Sequence, residues 1–234
     1  RNPLAEPGVL GVSAWAALFA TVTLFFGLAG WSALALPIAS MLGAMAATAV
    51  IALAAARGQS VGGLILVGVG LSSLAGALMA LAMNLAPNPF TLADLVNWTL
   101  GSVANRSLSD IGFALPFLIP GMALLWLARG GLSALALGEE AAAGVGLNLA
   151  RHRLMIVLGC GLATGASVAV AGAIGFVGIV APHLIRPWVG HDPARSVVPS
   201  ALMAALILVV ADIAIRLLPG DFELRLGVVA ALIG

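Results

Sequence analysis

Long apolar runs, broken by short polar turns and almost free of charge, constrain this chain more than any motif does. They lie at about residues 9–28, 33–56, 63–85, 111–127, 154–171 and 197–218. Each is near the ~20 residues an α-helix needs to cross a bilayer. Charged residues make up 8% of the chain and apolar residues 62%, with a mean hydropathy of +1.17. A soluble domain carries about 25% charged residues. No soluble fold hides that much apolar surface, so the expected class is an all-α polytopic membrane protein, a single transmembrane domain over residues 1–234.

The breaks between runs carry the detail. Residues 1–8 hold two prolines and form a polar entry turn. Gly30-Trp31-Ser32 is a tight turn with an interfacial tryptophan, and Arg57-Gly58-Gln59-Ser60 is a short basic one. Residues 86–110 are polar; within them 91–100 suit an interfacial helix, with Thr91 as N-cap and Asp94 at its third position. The run 111–127 contains Pro116 and Pro120, which predict a kink. From Gly172 the sequence reads Gly-Ala-Ile-Gly-Phe-Val-Gly-Ile-Val-Ala-Pro-His, the pattern of a broken or closely packed span ending near Arg186-Pro187-Trp188. Glycines 68, 70, 76, 159, 161, 165 and 172 are expected to let helices approach closely. Cys160, the one cysteine, sits in an apolar run as a small core residue.

Arginine supplies the orientation, since the chain has no lysine. With Arg1 inside, the inner set is Arg1, Arg57, Arg129, Arg151, Arg153, Arg186 and Arg195, against Arg106, Arg216 and Arg225 outside. The chain begins without an initiator methionine or signal peptide and ends after about nine residues of a last apolar run, too few to span. It is therefore expected to be a fragment, truncated at both ends.

Residues 129–153 form the longest polar island on the arginine-rich side. They hold adjacent Glu139 and Glu140, an alanine run, helix-stopping glycines and a basic end, Arg151-His152-Arg153. A short charged helix between two spans is a contact surface for a soluble partner. The two carboxylates point about 100° apart on a helix, so they are helix-start residues rather than an acid–base pair.

Catalysis finds little support. There is no phosphate-binding loop and no lysine to complete one, so this chain does not hydrolyse ATP. His152, His183 and His191 are scattered and form no metal site. Ser167 and His183 fall toward opposite ends of neighbouring spans, which argues against a Ser–His dyad. Net charge is +1, which does not suit a nucleic-acid partner. Asp212 and Arg216 share a helix face near the outer end of their span. An ion-gradient-driven transporter predicts carboxylates near the bilayer midplane. Only Asp212 comes near that, and it has Arg216 beside it.

Four ordered blocks carry a resemblance: residues 1–8 with Leu10-Gly11-Val12; 135–141 with Gly146-Leu147-Asn148; 172–178 with Pro182-His183; and Glu223-Leu224 with Gly227-Val228-Val229. On these the chain resembles the FecCD/vitamin B12-type permeases of type II ABC importers, which carry iron–siderophores, haem or cobalamin.

The resemblance implies a ten-helix bundle, of which about eight helices are present here. It implies pairing with a second permease copy or fused half, and multi-pass placement in the bacterial inner membrane. Two ATP-binding subunits, which use ATP and magnesium, would dock on the cytoplasmic coupling segment 129–153 through Gly138, Glu139, Glu140, Ala141, Gly146, Leu147, Asn148 and Arg151. A substrate-binding protein would dock outside. Arg216 stands at a matching position, and Arg225 replaces the proline of the usual Glu-Leu-Pro. The inner gate would involve Asn2 and Leu4, and the turn at Ser60, Val61 and Gly62, where some members carry hydroxyl residues. The implied cargo is a metal chelate, a ferric siderophore first and cobalamin or haem second.

Overall fold

The computed structural model describes residues 10–217 and 225–233. Its helices are α1 (Val12–Phe25), α2 (Ala35–Ala56), α3 (Val61–Asn84), α4 (Pro89–Thr99), α5 (Leu108–Leu135), α6 (Glu139–Gly144), α7 (Leu149–Ala171), α8 (Val177–Ile185), α9 (Pro193–Leu217) and α10 (Leu226–Ile233). Single 3₁₀ turns lie at Leu28–Trp31 and Arg186–Val189. Among the described residues five helices, α2, α3, α5, α7 and α9, are long and apolar enough to cross a membrane. At about 1.5 Å per residue each exceeds the ~30 Å of a hydrocarbon core.

The first apolar run departs from expectation. α1 has 14 residues, about 21 Å, too short for a full crossing. Its N-cap, Gly11, has φ +78°, and a Cβ there would lie 2.8 Å from Leu71 Cβ. Leu71 is near the middle of α3, so α1 starts at mid-depth.

Several boundaries also shift, each for a local reason. Asn88, not Thr91, caps α4: its Oδ1 accepts the Thr91 N–H at 2.8 Å, and Pro89 takes the first helical position, which needs no donor. Asp94 therefore lies beyond the first turn. α5 runs unbroken through Pro116 and Pro120 and continues past Arg129. That guanidinium is accommodated over the Trp126 ring, 4.4 Å from its centroid. α9 begins at Pro193, four residues earlier than the apolar run, because Asp192 Oδ1 accepts the Ala194 N–H at 2.9 Å. The glycine-rich stretch breaks as expected: an irregular segment leads into the nine-residue α8.

The core lies between α1, α2, α3 and α7, where the alanines Ala16, Ala44 and Ala47 pack with Ile51, Leu64 and Val157. Glycine sets the spacing. A Cβ on Gly161 would overlap the Thr48 side chain, and one on Gly165 would lie 2.7 Å from Ala44 Cβ. Gly70 and Gly76 differ: nothing in the described chain lies within 4 Å of where their Cβ would be, so they serve no packing within it. α7 and α9 show what small residues decide. Both are long and apolar, yet α7 buries eight residues, three of them glycine, and α9 buries only Ala211.

The helix ends sort into two faces. Ser102 N donates to Ala171 O at 2.7 Å, which places the loop after α4 beside the end of α7. Ser133 and Asp192, and Arg153, Glu139 and Gln59, meet on the opposite face. Among the described residues that second face carries Arg57, Arg129, Arg151, Arg153, Arg186 and Arg195, and the first carries Arg106, Arg216 and Arg225. Positive-inside asymmetry makes the arginine-rich face the inner one.

Candidate functional site

On the inner face, α6 is a single short helix fixed at both ends by glycine. Gly138, its N-cap, adopts φ +108°, ψ 157°, a region essentially reserved for glycine. Gly146 follows its end with φ +88°. There the Gly146 N–H donates to Ala143 O at 2.9 Å and the Leu147 N–H to Ala142 O at 3.0 Å, the paired bonds of a Schellman ending. Asn148 then caps α7, its Oδ1 accepting the Arg151 N–H at 3.0 Å. Helix stop, turn and helix start thus occupy consecutive residues.

This construction turns one face of α6 inward and the rest to solvent. Ala142 is fully buried. Glu139, Glu140, Ala141, Asn148 and Arg151 are exposed, and Leu147 is half-buried. Leu137 and Val145, on either side of α6, are 80% and 76% exposed. Two bare apolar side chains flanking two carboxylates at a helix start form a compact surface of mixed chemistry, the kind a protein partner covers.

Two ties anchor this surface to the bundle. Arg153 Nη2 lies 2.6 Å from Glu139 Oε1, and its Nη1 donates to the Gln59 carbonyl at 3.2 Å. Ser133 Oγ, near the end of α5, donates to Asp192 Oδ1 at 2.9 Å. That bond, with the Ala194 N–H, holds the Asp192 carboxyl below the usual carboxylate range. Neither Arg153 nor the Ser133–Asp192 bond stood among the expected site residues. The partners are 14 to 94 positions apart, and no local pattern signals them. Glycine was the available hint for His152: it is buried, and a Cβ on Gly131 would lie 2.7 Å from its Nδ1.

The α2–α3 turn, expected to form part of an inner gate, sits beside these ties. Gly58, with φ +78°, and Gln59 close α2 through bonds to Ala55 O and Ala54 O. Ser60 Oγ then accepts the Gly63 N–H at 3.2 Å and starts α3. Val61 is half-exposed, and a Cβ on Gly62 would face nearly open space. Asn2 and Leu4, the other expected gate residues, lie outside the described residues.

The outer face is arranged differently. Arg216 Nε pairs with Asp212 Oδ2 at 2.7 Å, four residues back on α9, with 62% of its side chain exposed. Arg225 does not project beside it as a second bare cation. It is half-buried in a pocket of about 310 Å³ with Asp94, Asn97, Trp98, Ser102 and Arg106. A larger cavity of about 770 Å³ lies between α5, α7 and the segment before α8, with Ala114, Leu118, Ala163, Ile174 and Gly175 among its walls. Its polar side chains are hydroxyls only. Ser167, one of these, donates to Ala163 O at 2.8 Å on its own helix and has no histidine beside it in the cavity wall.

The FecCD transport family matches over residues 1–234. The chain is 38% identical over 239 residues to the uncharacterized ABC transporter permease protein YvrB of Bacillus subtilis, covering all of this chain and 67% of that protein. It is 39% identical over 234 residues to the vitamin B12 import system permease protein BtuC of Vibrio cholerae, 70% of which is covered. It is 36% identical over 243 residues to the Fe(3+)-citrate import system permease protein YfmD of Bacillus subtilis, 69% of which is covered. Among solved structures, one described as an inward-facing conformation of a metal-chelate type ABC transporter superposes with a TM-score of 0.85 at 29% identity, covering all of this chain and 75% of that one.

Proposed function

The chain belongs to the FecCD transport family and is a permease subunit of a type II ABC importer; from that premise we propose that it carries a metal chelate, a ferric siderophore first, across the bacterial inner membrane. ATP hydrolysis falls to two separate subunits docked on α6 and the start of α7. A second permease copy completes the path, and a substrate-binding protein delivers cargo at the outer face near Arg216 and Arg225. The observation that carries this is the α6 surface. Leu137 and Val145 stand bare on either side of Glu139 and Glu140, on the face the arginines mark as inner. Cobalamin or haem is the alternative cargo to test.

The test uses the full-length permease in proteoliposomes with its ATPase subunits and binding protein. Labelled ferric siderophore is expected to accumulate with ATP and to be indifferent to an uncoupler. Uptake that ignores ATP and collapses with the uncoupler would show an ion-gradient-driven carrier instead. Preferential uptake of cobalamin would keep the mechanism and change the cargo.

A further inference from the structure

We propose that Arg153 is a positioning residue that mechanically joins the partner-facing helix α6 to the inner gate turn, so that displacement of α6 is felt at residues 59–62. This role rests on α6 being the ATPase contact.

The geometry is specific. One guanidinium holds two elements besides its own: Glu139 at the start of α6, at 2.6 Å, and the Gln59 main-chain carbonyl in the α2–α3 turn, at 3.2 Å. Arginine is suited to this because its planar fork presents several donors in fixed directions, which lysine does not. The Arg153 side chain is 17% exposed and the Glu139 side chain 44%, so the contact is covered on its arginine side only.

What lies at each end gives the link its meaning. A six-residue helix is too short to hold itself in water. Among the described residues α6 buries one side chain, Ala142, and its only ion pair is the one to Arg153. Besides the Gly138 N–H bond back to Leu135 O at the end of α5, the start of α6 is held to the bundle through Glu139. At the other end, Gln59 immediately precedes Ser60, whose hydroxyl caps α3, and Val61 and Gly62 come next with open space around them. A pull on the Gln59 carbonyl acts on the first turn of α3 through one residue. Exposed ion pairs contribute little stability, and fixing geometry is the larger effect of such a contact.

The experiment uses the full importer in proteoliposomes and measures uptake per ATP hydrolysed, with cysteine crosslinking from Glu140→Cys to the ATPase subunit as the docking control. Arg153→Gln is expected to lower uptake per ATP by at least about fivefold, the low end of typical coupling between sites, while the crosslink persists. Arg153→Lys keeps the charge and is expected to recover only part, since its donors radiate from one nitrogen and do not reproduce the two separate guanidinium contacts. The exchange Glu139→Arg with Arg153→Glu restores the ion pair but removes the donor to Gln59, and is expected to stay uncoupled. A crosslink that persists with an unchanged ratio in Arg153→Gln overturns the role of Arg153 alone. Uptake and hydrolysis falling together, with the ratio unchanged, shows a structural role and overturns it too. No crosslink in the otherwise unaltered protein overturns the docking of the ATPase on α6, and the role of Arg153 with it.

Discussion

At the inner face, Arg153 of α7 meets Glu139 of α6 at 2.6 Å and also donates to Gln59 in the α2–α3 turn. At the outer face, Arg216 meets Asp212 at 2.7 Å, one turn back on its own helix. The two ion pairs are nearly equal in length and differ in everything else. The inner arginine joins three elements and is 17% exposed; the outer one stays within α9 and is 62% exposed. An arginine tied across elements moves them together, whereas one tied to its own helix presents charge. On the proposed function, the inner face transmits displacement and the outer face attracts a partner, a division that separate assays can resolve.

The largest effect is expected from Ala142→Glu. It places an unpaired carboxylate where α6 is fully buried, a change that costs several kcal/mol. ATP-dependent uptake should fall by more than about tenfold, since each ~1.4 kcal/mol is worth a factor of ten. Binding of the substrate-binding protein to the outer face should not change. Gly138→Ala comes next. Its backbone sits where only glycine is unstrained, a cost of about 1–3 kcal/mol, and uptake should fall several-fold with the outer face again untouched. Arg216→Glu should do the reverse: weaker association with the binding protein by about five- to tenfold at low salt, converging on the unaltered protein at high salt, because exposed charge acts on encounter and is screened. ATP hydrolysis by the docked subunits should not respond.

Much of the fold was legible because apolar length and helix formation are the same constraint in a bilayer. The six runs became helices, and the Gly172 stretch broke. What failed were boundaries where a side chain compensates locally. Asn88-Pro89 displaced Thr91 as a start, Trp126 carried Arg129 into α5, and Asp192 started α9 early. The shortness of α1 was not legible, because its limit is a close approach of Gly11 to α3, a tertiary fact. In the candidate site, glycine punctuation announced α6, since helix ends are local; the start of α7 at Leu149, five residues before the apolar run, was not legible, because Arg151-His152-Arg153 made its first turn look like part of the polar island. The Arg153 contacts were not legible either, since Gln59 is 94 positions away and meets Arg153 through a main-chain atom.

The smallest effect concerns the second inner tie. Asp192 titrates below the ordinary carboxylate range because Ser133 and the Ala194 N–H bond its ionised form. A depressed folded value means stability that is present at neutral pH and lost as pH falls through it. Ser133→Ala should lower the melting temperature slightly at pH 7. The difference from the unaltered protein should vanish in acid, once Asp192 is protonated in both.

The most direct measurement of the division between faces is a pair of single cysteines in a Cys160→Ala background of the full-length permease, assembled with its partners. Glu140→Cys should crosslink to the ATPase subunit and Arg216→Cys to the substrate-binding protein, each to the exclusion of the other. An ATPase crosslink from position 216, or none from position 140 in an importer that still transports, would contradict the assignment of α6 as the driven surface.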